Sequence, residues 1–295
     1  MDLSLIIVNF NTKDILKDCL KNLSKALSSI DSEIIVVDND SSDGSADMVE
    51  KSFPKVILIK SKNDGLAAGS NLGLKASKGK YLLYMGSDAF PTKETIEGML
   101  QYMNENRNVG IATSKLLLRS GQIDLDAHRG FPTPWASITY FTKLNKLFPK
   151  SKIFNQYFLG YKDLDNPHEI DLCISHFMLV RREVFAKIGN WDEGFFLYGE
   201  DVDFCYRTKE AGYKIMYLSQ FSTLHYKGAS VGIRKQTQDI SLATKEIKVK
   251  MNKETTRAMR LFYQKHYSKK YPKIFTWFIL FAISILEKVR SRRVK

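Results

Sequence analysis

Several things are scarce in this chain, and each scarcity narrows the reading. Only three cysteines occur in 295 residues, Cys19, Cys173 and Cys205. They stand far apart among apolar neighbours without a paired spacing, which reads as small buried hydrophobes in a reducing compartment. No secretory signal is expected, since Met1-Asp2 leads straight into an apolar strand with no basic region or cleavage site. Membrane-spanning length is missing too. The most apolar stretch, Ile274 to Leu286, would reach roughly 20 Å as a helix against a hydrocarbon core of roughly 30 Å. Acid is in deficit, with 32 Asp and Glu against 45 Lys and Arg and a net charge of +13. Such a chain meets something negative: nucleic acid, anionic lipid or phosphorylated small molecules. Hydrophobic residues are not lacking, and at 44% they exclude disorder for most of the chain.

What is present begins with buried strands. Leu3 to Val8, Glu33 to Val37, Val56 to Ile59, Tyr81 to Met85 and Val109 to Thr113 are apolar runs. Helical stretches alternate with them over Ile15 to Leu27, near Asp47, and over Leu66 to Ser77 and Thr92 to Asn104. Strands apolar throughout and separated by helices predict an α/β fold, a mostly parallel sheet covered on both faces. Ligands of such sheets bind beyond the carboxyl ends of the strands. The residues there are polar at each end: Asn9 and Asn11, Asp38 and Asn39, Asn63 and Asp64, Ser87 and Asp88.

Each of these has two readings. Asp38 suits a base N–H or a ribose hydroxyl, and it equally suits an Asx-turn in Asp38-Asn39-Asp40-Ser41-Ser42-Asp43-Gly44. Asp88 suits a divalent metal held against a diphosphate, or the N-cap of the following helix. Gly65, Gly69 and Gly73 recur every four residues, which bares one helix face to a strand or a ligand and does not match the Gly-x-Gly-x-x-Gly dinucleotide fingerprint. Further on, Gly199-Glu200-Asp201-Val202-Asp203 opens a helix expected to run to about Gly212. Carboxylates on a first helical turn sit in the positive end of the dipole, while apolar neighbours push their pKa up. A group poised between the two is a candidate general base, and a capping role is the alternative.

Taken in order, the motifs Val8-Asn9-Phe10-Asn11, Val36-Val37-Asp38-Asn39, Asn63-Asp64-Gly65-Leu66-Ala67-Ala68-Gly69, Ser87-Asp88, Phe177 to Phe185 and Tyr198-Gly199-Glu200-Asp201 resemble family 2 glycosyltransferases of GT-A fold, especially the branch like bacterial rhamnosyltransferases of surface polysaccharide assembly. The resemblance implies a Rossmann-like mixed, mostly parallel sheet with helices on both faces over residues 1–235, plus a C-terminal helical extension over 236–295. Residues 1–113 would form the nucleotide-sugar half and 114–235 the acceptor half. It implies inverting transfer from a nucleotide-diphosphate sugar, dTDP-rhamnose or a UDP-sugar, to a lipid-linked or polysaccharide acceptor. By similarity Asp201 would be the general base and Glu200 its support. Asp38 would contact the base, Asn9 and Asn63 the nucleoside side, with Asn39, Gly65 and Ser87 in the same pocket. Asp88 would hold a Mn or Mg cation, with His225 nearby, a lone histidine being otherwise a structural one. Apart from the resemblance, the charges of Lys227, Arg234 and Lys235 suit either the phosphates or an ordinary solvated face. Two departures stand out. Gly86 takes the place of the first acid in the metal motif, and Ser175-His176 replaces a small pair, so that His176 narrows the pocket.

Gly130 to Asp163 is rich in aromatics and lysines without a strand pattern, which suits either an acceptor-side insertion resting on a membrane or ordinary core aromatics. Asp171 to Arg181 reads as strand and Arg182 to Gly189 as a short helix. The apolar stretch 274–286, bracketed by lysines and arginines, reads as a monotopic anchor on an anionic leaflet or as a packed terminal helix. The expected setting is therefore cytoplasmic and peripheral on the inner face of the cell membrane. A nucleotidyltransferase of related fold and a basic nucleic-acid-binding protein are the competing readings. The first gives no use for Glu200 and Asp201, and the second lacks a recognised binding motif, so no nucleic-acid partner is expected.

Overall fold

The computed structural model describes residues 1–228 and 245–294. Nine strands, β1 (Leu3–Asn9), β2 (Ser32–Asn39), β3 (Ile57–Ser61), β4 (Tyr81–Met85), β5 (Ala89–Pro91), β6 (Val109–Leu118), β7 (His168–Ile170), β8 (Phe177–Arg181) and β9 (Lys214–His225), join in one sheet. Its order is β3-β2-β1-β4-β8-β6-β9-β5, with β7 also on β9. The first four strands are mutually parallel, β8 is antiparallel to both β4 and β6, and β9 again runs parallel to β6. The sheet is thus mixed and mostly parallel, as expected.

Residue alternation along the strands sorts the two faces. Leu3, Leu5 and Ile7 join Val36 and Leu83 in a core covered by α1 (Lys13–Ala26), α2 (Ser45–Ser52) and α4 (Lys93–Glu105). Ile6, Ile35, Leu82 and Tyr84 face the other way, under α3 (Leu66–Ala76), α7 (Arg182–Ile188) and α8 (Glu200–Glu210). Of the two uses open for the α3 glycines, strand packing is the one realised at Gly69 and Gly73. A Cβ there would stand 2.8 Å from Val8 Cγ1 and 2.5 Å from Ile6 Cγ2 respectively.

The local readings needed some correction. The fifth strand runs past Thr113 to Leu118, because Lys115 to Leu118 pair with Ser222 to His225 after an irregularity in β9. Of Asp171 to Arg181 only Phe177–Arg181 is strand, and a separate strand, His168–Ile170, precedes it. Asp88 does not cap α4; Thr92 does, accepting from the Thr95 amide. Residues 130 to 163 carry two short helices, α5 (Pro134–Phe141) and α6 (Leu144–Leu147). All three cysteines are free and buried, yet the fold brings Cys205 Sγ to 3.8 Å from the Cys173 carbonyl, a neighbourhood that sequence spacing hides.

Two helices, α9 (Lys245–His266) and α10 (Lys273–Val294), follow. α9 packs Ala258, Phe262 and Tyr263 onto Phe195 and Tyr206, forming a third core under α8. No helix among the described residues is long and apolar enough to cross a membrane. The expected boundary at 235/236, and Arg234 and Lys235 with it, lie outside the described residues.

Candidate active site

Topology gathers the site on one sheet edge. The carboxyl ends of β1, β2 and β4 deliver Asn9, Asn39 and, after Met85, Gly86-Ser87-Asp88. β8 is antiparallel and starts opposite Met85, so Ser175 and His176 reach the same edge from its amino end. β9 ends there with His225.

At β1 and β2 the polar ends hold one another. Asn9 donates from Nδ2 to Asp38 Oδ1 (2.9 Å) and Ser41 Oγ (3.1 Å). Its Oδ1 accepts from Thr12 Oγ1 (2.5 Å), and that hydroxyl lies 3.0 Å from Ser87 Oγ. Asp38 Oδ2 accepts from the Ser41 amide at 3.0 Å, so the turn reading of Asp38 is realised whatever else the residue does. Asn39 donates to the Gly65 carbonyl at 3.1 Å. Gly65 has φ +105°, and a Cβ on it would come within 2.5 Å of the Phe196 carbonyl oxygen, so this position requires glycine. Asn63 is half-buried in the loop before it.

Asp88 is fully buried, and neither of its carboxylate oxygens has a hydrogen-bond partner. His225 Nε2, likewise buried and without one, lies 3.7 Å from Asp88 Oδ1. The other ring nitrogen, Nδ1, faces Asp124 Oδ2 at 2.9 Å, which fixes the ring with Nε2 toward Asp88. Asp124 would be pushed up by burial, but hydrogen bonds from His225 and Lys227 hold it well below the usual carboxylate range. Lys227 pairs with Asp124 at 2.5 Å and also with Asp126, so its charge is spent within the protein. Two orphaned carboxylate oxygens beside an imidazole nitrogen fit a Mn or Mg cation, which favours oxygen donors and accepts imidazole. Among the described residues no group of three or more His, Cys, Asp or Glu converges to hold an ion unaided.

The α8 amino end supplies the other half. Tyr198 and Gly199 take left-handed conformations, φ +67° and +83°, turning the chain into the helix so that Glu200 and Asp201 fall on its first turn. Both are buried. Burial, then the adjacent Asp201, pushes Glu200 up to about 8. Its Oε1 accepts from Ser175 Oγ at 3.1 Å, and its Oε2 has no partner. Burial also raises Asp201, opposed by Arg129, whose guanidinium stands 3.7 Å from Asp201 Oδ2. Arg129 in turn donates to Tyr157 Oη (3.1 Å) and the Asp126 carbonyl (2.8 Å). Burial thus raises both acids, Glu200 further through the neighbouring Asp201 charge, while Arg129 favours the ionised form of Asp201. Asp203, third of the acids, is structural. Burial would raise it, but His266, Lys265 and Arg207 hold it down to about 2.

Arg129, Thr12 and Asp124 were not singled out in the sequence. Nothing local marks them, since each acquires its meaning from a partner remote in the chain.

Comparison with known proteins fits this geometry. The glycosyl transferase family 2 profile matches residues 4–189. The chain belongs to that family. A low-salt glycan biosynthesis hexosyltransferase of Haloferax volcanii is 28% identical over 229 residues, covering 76% of this chain and 67% of that protein. The rhamnosyltransferase WbbL of Escherichia coli is 40% identical over 57 residues, 19% of this chain and 22% of its own length. Among solved structures, the mannosyltransferase PcManGT from Pyrobaculum calidifontis, in complex with GDP-Man and Mn2+, superposes with TM-score 0.58 at 14% identity, covering 99% of this chain and 72% of that one. S. aureus TarS gives 0.56 at 16%, covering 91% and 45%. These likenesses establish the GT-A fold, and family 2 membership makes the chain a glycosyltransferase. The nucleotidyl-transfer and nucleic-acid readings give way to it.

Proposed function

We propose that this family 2 enzyme is an inverting glycosyltransferase that moves a sugar from a nucleotide-diphosphate sugar, dTDP-rhamnose or a UDP-sugar, to a lipid-linked or polysaccharide acceptor. One observation carries the reading. Ser175 Oγ donates to Glu200 Oε1 at 3.1 Å, and the ring of the next residue, His176, lies with Asp88 Oδ1 against Gly86, so one dipeptide links the buried unpaired carboxylate to the buried acid pair. Inverting displacement needs those two poles: a base behind the acceptor hydroxyl and charge neutralisation around the departing diphosphate.

In this scheme Asp201, ionised beside Arg129, takes the proton of the acceptor hydroxyl. The freed oxygen bonds to the anomeric carbon from the face opposite the diphosphate, and the nucleotide leaves with the electrons of the broken C–O bond. Glu200, protonated, donates a hydrogen bond that orients the acceptor. Asp38, Asn9, Asn39, Asn63, Gly65 and Ser87 line the nucleotide side. Asp88 and His225 would hold a Mn or Mg cation, which when bound supplies positive charge to the diphosphate. The catalytic unit spans residues 1 to about 235, and 236–295 form the basic extension.

The extension favours a peripheral place on the inner face of a cell membrane. Ile274, Trp277, Phe278, Phe281, Ile285 and Val289 are all exposed and fall on one face of α10, with Lys269 and Lys273 before them, Lys288 beside Val289 and Arg292 after. An apolar stripe ringed by cations suits the headgroup layer of an anionic leaflet.

The test is thermal shift and donor hydrolysis with UDP-, dTDP- and GDP-sugars, with and without Mn²⁺ or Mg²⁺. One donor should stabilise the wild type, Asp88→Ala should abolish that response, and Asp201→Asn should keep binding and lose turnover. Silence toward every nucleotide sugar would sink the proposal.

A further inference from the structure

The segment carrying α5 and α6 has an unusual charge pattern. From Ala127 to Lys162 it contains no aspartate or glutamate at all, in a chain with 32 acids. Over the same stretch Trp135, Ile138, Phe141, Leu147, Phe148 and Ile153 are exposed, Leu147 to 69% and Ile153 to 59%. Lys143, Lys146, Lys150 and Lys152 are exposed among them. The surface is built rather than frayed. Trp135 Nε1 donates to the Ile153 carbonyl at 2.9 Å, and Phe154 lies between the rings of Trp135 (6.2 Å) and Phe148 (5.0 Å).

The inner side of the same segment reaches the catalytic base. Tyr140 packs on Tyr157 with ring centroids 4.8 Å apart, Tyr157 Oη accepts from Arg129, and Arg129 faces Asp201. A solvent-facing apolar surface thus stands a few side chains from the acceptor pole.

We propose that this surface is a second membrane-contact site, which seats the acceptor pole on an anionic leaflet, and that the acceptor is accordingly a lipid-linked glycan. The inference rests on the transferase reading above and chooses between its two acceptor classes. Exposed aliphatic and aromatic side chains gain by entering the acyl boundary, lysines gain at anionic headgroups, and the absence of any acid removes the repulsion that would oppose both. Large exposed aliphatics such as Leu147 and Ile153 suit hydrocarbon and offer nothing to a nucleic-acid backbone.

The experiment uses the full chain and vesicles of phosphatidylcholine with and without phosphatidylglycerol. Leu147→Glu/Phe148→Glu/Ile153→Glu is compared with Trp277→Glu/Phe281→Glu, and nucleotide-sugar binding is followed in parallel. The expected result is binding to the anionic vesicles only, weakened about tenfold or more by either set, with donor binding unchanged. In a Trp277→Phe background, brominated lipid should quench Trp135, because Trp191 is 2% exposed and shielded. Wild-type-like vesicle binding by the first set with Trp135 unquenched overturns the proposal, even if the α10 set loses binding. Binding to RNA in place of vesicles overturns it too. Absence of nucleotide-sugar binding by the wild type would instead overturn the proposed donor and acceptor reading on which this inference rests.

Discussion

The ring of His176 fills the space that a side chain at Gly86 would need. A Cβ on residue 86 would stand 2.8 Å from His176 Cδ2 and 2.5 Å from Asp88 Oδ1. Glycine at position 86 is therefore dictated by its neighbours. Gly86→Ala is expected to cost about 1–3 kcal/mol by overpacking and to displace Asp88. Melting temperature and the nucleotide-induced thermal shift should both fall. His176→Ala in the same chain should recover part of the stability, since one of the two clashes is gone, and no recovery would disprove the coupling.

Asp201→Asn should lower turnover by about 10²–10⁴ with donor affinity retained, the range expected for a lost general base. Arg129→Met should act through pH. Arg129 opposes the upward push of burial on Asp201, so removing it raises that pKa further and moves the acid limb of the pH–rate profile to higher pH. Arg129→Lys should restore most of the limb. A profile that drops in height without moving would refute the assignment.

For Glu200 the sign runs against alkaline pH. Its folded pKa, about 8, lies above the ordinary glutamate range, so the folded state holds its proton more tightly than the unfolded chain does. Stability is therefore lost as pH rises from about 4.5 toward 8. Glu200→Gln has no such proton to lose. Its melting temperature relative to wild type should climb between pH 5 and 8.5, and a constant difference would contradict the burial-driven shift.

Asp203 is the opposite case, held down to about 2 by His266, Lys265 and Arg207. Its contribution is present above the ordinary aspartate pKa and is lost as pH falls toward 2. Asp203→Ala takes the carboxylate from His266 and leaves Lys265 with Asp192 alone, at a cost of no more than about 3–5 kcal/mol, the range for buried pairs broken on one side. Limited proteolysis should then cut α9 and α10 sooner than the sheet domain. Equal cleavage rates would show that the aromatic cluster alone holds the tail.

Sequence reasoning reached what is periodic or local. Runs such as Leu3 to Val8 are apolar throughout because both sheet faces are covered, and Glu200 with Asp201 sit directly after a glycine turn. It missed what depends on pairing. The extension of β6 to Leu118 exists because β9 offers it a second stretch of edge, and β7 exists because β9 has a free side at Ile215 to Tyr217. Arg129 carries no local signal, since its neighbours His128 and Gly130 say nothing of a carboxylate brought up from α8. Lys227 was expected near the phosphates on the strength of its charge, but Asp124 and Asp126 claim it. Charge alone does not reveal its partner.

The short helix α8 bears the acid pair on its first turn and, at Asp203 in that same turn, the ionic clasp to α9. The acid pair and the tail are thereby fixed to one rod of 11 residues. Under the proposed seating of α10 in a leaflet, an attacking hydroxyl would have to arrive at a set elevation above the bilayer. The length of an acceptor's spacer would then discriminate between acceptors before any contact with their sugars is made.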